Sequence, residues 1–329
     1  MAWVAYRQKH VKLLAPGLAE RPLKMTPPFF SIIIPTYRRP EALQECVRAL
    51  CKLDYPRENF EVVIVDDGGD LPLEPLLLPF SSQVHLKILW QPNAGPAAAR
   101  NFGAKQATGD FLAFTDDDCQ PDPQWLRTLN VALESSKDAL VGGRTINALT
   151  SNAYAEASQL IIDVVYAHYN SRTDDVQFFA SNNMAVSSQT FDAIGGFNPA
   201  FRTSEDRDLC DRLRFRGYTL QYAPTAVIFH SHTLTFRSYW NQHSGYGRGA
   251  WRFHSARARR GSGSFKPDWC FYRALFSAPF RQGSWRHAAR GLSLIAVAQL
   301  ANATGCVAQG LNRLWTSADP ATSADPKHS

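Results

Sequence analysis

The sequence predicts an α/β protein: a mainly parallel, Rossmann-like sheet with helices on both faces, followed by a helical, basic C-terminal extension. Three observations carry this expectation. Apolar β-branched runs recur through residues 29–114. Stretches with the apolar spacing of a helix separate them, as in doubly wound sheets. The runs end in polar or acidic residues, and the carboxyl ends of the strands are where open α/β sheets bind ligands.

The first run, "FFSIIIPTYRR" (29–39), reads as a strand buried on both faces. Pro40 and Glu41 open a helix reaching about Leu53, with Leu43, Val47 and Leu50 on one face. "FEVVIVDDGG" (60–69) is a second buried strand ending in two acids and two glycines, and "VHLKILW" (84–90) a third. Gly95 and Pro96 then mark a helix start, and Arg100 and Asn101 open another helix near the same edge. "FLAFTDDD" is the fourth strand. In the second half, "VQFFASNNMAVSS" (176–188) suggests a strand, a polar turn and another strand. "TSEDRDLCDRLRFRGY" reads as a helix with Ser204 as N-cap, Leu209 and Leu213 on its buried face and Gly217 near its end. "TLQYA" and "AVIFHSH" follow as two short strands.

The chain has 329 residues, enough for one large domain or two small ones. With 45% hydrophobic and 19% charged residues it is not globally disordered. Its six cysteines, Cys46, Cys51, Cys119, Cys210, Cys270 and Cys306, form no CxxC pair, which suggests reduced thiols of a cytoplasmic protein and argues against zinc. The start is interrupted by charge and lacks the apolar core of a signal peptide.

The net charge of +6 is concentrated in one stretch, where Arg248, Arg252, Arg257, Arg259, Arg260, Lys266, Arg273, Arg281, Arg286 and Arg290 interleave with Trp251, Trp269, Phe271 and Trp285. That mixture suits an anionic membrane surface better than nucleic acid, with a merely solvated basic face as the competing reading. "LSLIAVAQLANATGCVAQGL" (292–311) is uncharged and long enough to span a bilayer, but Gln299, Asn302, Thr304 and Gln309 favour a helix lying on the membrane or against the domain. The expected divisions are a polar lead (1–28), a main domain (29–240, with halves 29–122 and 123–240), the basic extension (241–315) and a disordered tail (316–329) with a repeated SADP.

Asp116, Asp117 and Asp118 crowd together at a strand end, although like charges at that spacing raise one another's pKa. A solvated acidic turn is the plain alternative. Thr36, Tyr37, Arg38, Asp66 and Asp67 gather at the same edge, which favours a binding site. Carboxylates without cysteine suit a hard divalent ion, Mg²⁺ or Mn²⁺, which in turn would carry a phosphorylated ligand. Arg100 suits a phosphate or base contact, or an ordinary ion pair. Asp66 and Asp67 suit base and ribose contacts, or an Asp-Gly turn.

Taken in order, "SIIIPTYRRPEAL", "VVIVDDGG", "NAGPAAARNFGA", "FLAFTDDD", "NNMAVSS…IGGF" and "SEDRDLCDRL" resemble family-2 inverting glycosyltransferases of the A-type fold, over roughly residues 29–240. The resemblance implies transfer of a sugar, with inversion, from a nucleoside-diphosphate donor to an acceptor hydroxyl. It makes Asp116 and Asp118 the Asp-x-Asp motif, with Asp118 the direct metal ligand and Asp116 nearer the ribose. Asp67, and after it Asp66, match the acid at the donor's base, and Arg100 a base-side contact. Pro35, Thr36, Tyr37, Arg38, Asp66, Asp67, Gly95, Arg100, Asp116 and Asp117 form the expected donor wall. Glu205 and Asp206 match the Glu-Asp pair, making Asp206 the candidate general base; a helix-capping acid is the alternative. Relatives often supply a histidine after the last core strand, and of His230 and His232 the latter is the expected metal ligand.

Uridine is the base the family favours, with guanosine and thymidine open, and the membrane-facing basic region favours a lipid-linked or growing cell-surface glycan as acceptor. The chain lacks the Gln-x-x-Arg-Trp signature of processive synthases, which implies one or few additions. The expected location is cytoplasmic, peripheral on the cytoplasmic face of the membrane. Two rivals differ in class: a non-catalytic nucleotide-sugar-binding protein, and a receiver-like phosphoacceptor domain. The receiver is disfavoured because its acidic pair belongs after the first strand. A sugar-nucleotide pyrophosphorylase would need a Gly-rich basic signature that "PTYRRPEAL" lacks.

Overall fold

A computed structural model of the chain describes residues 27–281 and 284–318. Most of the expected lead and the tail beyond residue 318 lie outside them.

Strand β1 (Phe30–Thr36) leads into helix α1 (Pro40–Leu50), whose proline occupies the first turn, where its missing N–H costs nothing. Then come β2 (Phe60–Asp66), the short α2 (Glu74–Leu77), β3 (His85–Trp90), α3 (Pro96–Gln106) and β4 (Phe111–Phe114). Asn101 and Arg100 fall inside α3 and do not open a helix of their own, because Pro96 has already started one.

Beyond β4 lie β5 (Cys119–Pro121), α4 (Trp125–Ser135), β6 (Leu140–Asn147) and α5 (Ala153–Tyr169), capped by the Asn152 carboxamide, which accepts from the N–H groups of Tyr154 and Ala155. Next are β7 (Met184–Ser187), α6 (Ser188–Ile194), α7 (Glu205–Phe215), β8 (Leu220–His230), α8 (Phe236–Arg260), α9 (Trp269–Ser277) and α10 (Trp285–Ala318).

The strands form one sheet in the order β3-β2-β1-β4-β7-β6-β8-β5. The β3-β2-β1-β4 portion is parallel, in a register that sets Thr36 beside Asp66 and Asp66 beside Trp90, so three strand ends reach one edge together. Antiparallel pairings of β7 with β4 and β6, and of β5 with β8, make the sheet mixed.

Alternate residues of each central strand enter different cores. Ile32, Ile34, Val62 and Ile64 pack with Leu43, Val47 and Leu50 of α1 and with Trp125 and Leu129 of α4. Ile33, Val63, Val65 and Phe114 pack with Ala97 and Ala99 of α3 and with Leu209 and Leu213 of α7. Helices on both faces therefore follow from strands with no polar side. Each fully buried Leu or Val contributes about 2 kcal/mol.

Three expectations need correction. Of "VQFFASNNMAVSS" only Met184–Ser187 is a strand. The preceding polypeptide is irregular because Asn183 goes inward as a buried connector, accepting from Trp125 Nε1 at 2.8 Å and donating to the carbonyls of Arg144 and Ala226, both at 3.0 Å. "TLQYA" and "AVIFHSH" are one strand, β8, whose pairing with β6 shifts register between Gly142 and Arg144. Pro224, lacking an N–H, falls in the stretch where the pairing is interrupted. Ser204 sits at the N-cap position of α7 but makes no side-chain capping bond, its backbone being left-handed at φ 68.

At the C-terminal end, α8 runs through residue 240 and ends at Gly261, φ 77. Helix α10 packs along it, continuing through residues expected in the tail. Their backbones nearly touch: a Cβ on Gly247 would lie 1.9 Å from the Asn302 carbonyl oxygen, and one on Gly305 2.0 Å from that of Ser244. By length and composition α10 could cross a membrane, which is weak evidence by itself. Its outer face carries Leu300, Val307 and Leu311 in contact with solvent.

Candidate active site

The loop after β4 sends its three carboxylates in different directions. Asp117 turns inward, fully buried, and accepts from Thr36 Oγ1 at 2.7 Å and from the Arg39 guanidinium. Asp118 is bonded to Arg39 Nη1 at 2.7 Å and lies 3.2 Å from His230 Nε2. Asp116 accepts from Arg100 Nη2 at 2.6 Å. The β5–β8 register, which pairs Cys119 with His230, brings this loop to the end of β8. The positive charge that the sequence left unaccounted for is thus supplied partly by Arg39, which no motif singles out. Arg38 instead has φ 54 and points to Asp70, away from the cleft. That reversal turns Arg39 inward.

Burial pushes the Asp117 carboxyl up to about 7 against the opposing pull of Arg39, with Asp118 adding to the rise. Burial would raise Asp118 as well, but the hydrogen bond and charge of His230, with Arg39, hold it well below the usual carboxylate range. Asp118, Cys119 and His230 offer ligand atoms close enough for one ion. The buried Cys119 thiol is pushed well up by desolvation and the nearby acids, so it stays protonated. A carboxylate and an imidazole fit Mn²⁺ or Mg²⁺, provided Arg39 yields. His230, not the expected His232, touches Asp118; His232 faces His230 ring to ring at 5.4 Å and lines the same cleft.

Asp67 organises the turn from β3 into α3. It accepts from Gln91 Nε2 at 2.6 Å, Ala94 N at 2.9 Å and Gly95 N at 2.8 Å, and the last of these uses the φ of 95 at Gly95. Asp66 does not face the cleft: it bends back to accept from Gly69 N at 2.7 Å. Pro35, Thr36, Tyr37, Asp67 and Gly95 line the cleft, whereas Arg38, Asp66 and Asp117 do not.

Arg100 lines the cleft but is not a surface residue. Only 3% exposed, it spans from Asp116 to Glu205, 2.9 Å from the latter, and thereby ties the aspartate loop to the start of α7. Glu205 is consumed in that link. Asp206 borders the cleft, accepting from Arg207 N at 2.7 Å and Ser181 N at 3.4 Å. Desolvation, then the charge of Glu205, raise its pKa to about 7, with the Arg207 N–H and Arg100 opposing. The carboxylate is therefore a far better proton acceptor than a solvated one.

The whole depression is about 1850 Å³, larger than a single small-molecule pocket, and continues from the strand edge past α7 to α8, α9 and α10. Arg202 and Arg207 border it and carried no sequence signal beyond their residue types; Tyr246, also on its border, lies in "NQHSGYGRG", a stretch that resembles the family's acceptor-cleft border.

Compared with known proteins, residues 31–206 match the model of glycosyl transferase family 2. The pre-mycofactocin glycosyltransferase of Mycobacterium tuberculosis is 29% identical over 230 residues, 67% of this chain and 46% of that protein. The chain thus spans about half the length of that relative. In three dimensions it is similar to the mannosyltransferase PcManGT from Pyrobaculum calidifontis, solved with GDP-Man and Mn²⁺, at a TM-score of 0.61 and 19% identity over 95% of this chain and 93% of that one. It is also similar to S. aureus TarS 1–349 in complex with UDP-GlcNAc, at 0.52 and 15% over 87% and 92%. At these identities the structural likeness speaks for the fold, and the sequence match over more than half of the chain for the lineage: the chain belongs to glycosyl transferase family 2.

Proposed function

We propose that the protein moves a sugar, with inversion, from a nucleoside-diphosphate donor, preferably a UDP-sugar, to the hydroxyl of a glycan or lipid-linked acceptor. One observation carries this reading: Asp206, a carboxylate whose pKa is raised, shares the cleft with Asp116 and Asp118 but stands on a separate element. A single displacement needs its base on the face of the sugar opposite the leaving diphosphate, and two carboxylate-bearing walls meet that demand.

In this scheme Asp206 takes the proton from the acceptor hydroxyl. Asp118 and His230 hold a divalent ion, with Asp116 beside them. Such an ion supplies charge neutralisation for the departing diphosphate. Pro35, Thr36, Tyr37 and Gly95 shape the base and ribose pocket, while Asp67 and Arg100 keep its walls in place. Asp117, through Thr36 and Arg39, sets the angle of the aspartate loop from beneath. The basic, aromatic extension holds the enzyme at the cytoplasmic face of an anionic membrane, for which the exposed Trp269, Phe280 and Trp285 beside Arg273, Arg281 and Arg286 speak.

The test is calorimetric titration of wild type, Asp118→Ala and Asp206→Asn with UDP, GDP, dTDP and CDP, with and without Mn²⁺. Metal-dependent binding of one nucleotide, lost in Asp118→Ala and kept in Asp206→Asn while transfer stops, is the expected pattern. A folded wild type that binds no nucleotide refutes the proposal.

A further inference from the structure

The far end of the cleft, beyond Asp206, is cationic in a way that the donor leaves unexplained. Arg207 follows the candidate base directly and borders the cleft. Among the described residues its guanidinium has no hydrogen-bond or ion-pair partner; it lies over the ring of Phe253, whose centroid is 4.8 Å from Cζ. Arg257 approaches the same ring at 5.9 Å. Two guanidinium groups beside one aromatic ring repel each other, and a cation half-withdrawn from water is costly to leave without an anion.

The acids nearby are engaged elsewhere: the charge of Asp206 acts on Arg207, but its carboxylate accepts from the N–H groups of Arg207 and Ser181 and not from the guanidinium. Asp211 lies 3.0 Å from Arg257 but also accepts from Arg260 and Ser262. Asp268 is committed to His168 and to the first turn of α9. Lys266, exposed on the loop between α8 and α9, borders the same end and has no partner among the described residues. His254 adds a buried Nδ1 without a hydrogen bond.

We infer that this end is an acceptor subsite for an anionic group, a phosphate or a carboxylate, held by Arg207 with Lys266 and Arg257. The inference rests on the transferase reading. Guanidinium matches either oxyanion through paired N–H donors, and Phe253 holds the Arg207 plane in place. An acceptor anchored there presents its hydroxyl to the adjacent residue, Asp206. Its anion stays apart from the donor edge, because Arg100 is already paired with Asp116 and Glu205.

The experiment titrates protein saturated with its preferred nucleoside diphosphate against glycerol 3-phosphate, methyl β-glucuronoside and, as neutral controls, glycerol and methyl β-glucoside. Wild type is expected to bind one anionic probe about tenfold more tightly than its neutral counterpart. Arg207→Gln should reduce that preference to about threefold or less, and Lys266→Gln should weaken it partially. Nucleotide affinity, measured separately, stays at the wild-type value in both variants and verifies folding. Which anion is preferred tells a phosphorylated acceptor from a uronic one. Equal binding of charged and neutral probes, or no binding of either anion, overturns the inference. Loss of nucleotide affinity in Arg207→Gln also overturns it, by assigning the arginine to the donor. A wild type that binds no nucleotide at all fails at the earlier step and refutes the transferase reading instead.

Discussion

Asp116 and Glu205, from opposite halves of the chain, are held by one guanidinium: Arg100 reaches the first at 2.6 Å and the second at 2.9 Å. The span fixes the distance between the aspartate loop and the helix that carries Asp206. Replacing Arg100 with methionine leaves two facing carboxylates without their cation. We expect a loss of about 3–5 kcal/mol in stability, the usual cost of breaking a buried pair from one side. Lysine should not rescue it, since a single ammonium cannot fork to both acids. Denaturant unfolding and nucleotide titration of both variants check this.

The proton affinity of Asp206 predicts a pH profile. The groups facing it are Glu205, Arg100 and Arg207, with Tyr166, Cys210 and Tyr246 within electrostatic reach. Transfer should rise with pH to a plateau above about 7 as the carboxyl ionises. The stability effect runs the other way. A carboxyl whose folded-state pKa lies above its unfolded value binds its proton more tightly when folded, so stability falls as pH climbs from the unfolded value through about 7. Asp206→Asn should abolish transfer and, above pH 8, stabilise the fold by about 1–3 kcal/mol. A rate profile flat between pH 5 and 8 would contradict the assignment.

The two histidines should separate. His230 touches Asp118, and the hydrogen bond and charge of that carboxylate outweigh burial and raise its pKa; His232 shifts down because burial dominates there. His230→Gln is expected to weaken Mn²⁺ binding at least tenfold, the scale of losing one supporting ligand, and His232→Gln about threefold or less. Electron paramagnetic resonance titration of Mn²⁺ reads both without relying on turnover.

Asn183 offers a purely structural test. Alanine there leaves the Trp125 N–H and the carbonyls of Arg144 and Ala226 without a partner in the interior. Each orphaned group costs about 1–3 kcal/mol. A fall of more than about 3 kcal/mol in unfolding free energy is expected. Leucine, although apolar, should do no better.

Legibility in the sequence followed burial. Strands β1, β2 and β4 are covered on both faces, so they spell continuous apolar runs, and α1 shows its apolar stripe because only one side of it is buried. Strand β5, three residues long with Pro121, and β6, beginning Leu-Val-Gly-Gly, lack such a pattern because their glycines and proline serve close contacts: a Cβ on Gly142 would collide with the Phe179 ring. The strand-end acids were readable as a group. Which of them turns toward the cleft was not, since that depends on Thr36 and Arg39 capturing Asp117 from another strand end. Arg207 was hidden for the same reason: its meaning comes from Phe253, far along the chain.

The glycine contact between α8 and α10 makes one stiff unit of this side of the molecule. With no layer of side chains between Gly247 and Asn302, or between Gly305 and Ser244, the two helices are locked together as a strut. The strut is the full 25 residues of α8, about 37 Å. Its far end is tied to α7, where Arg260 holds Asp208 and Asp211 and Arg257 holds Asp211. The wall facing the aspartate loop therefore takes its position from the same helix that carries Asp206.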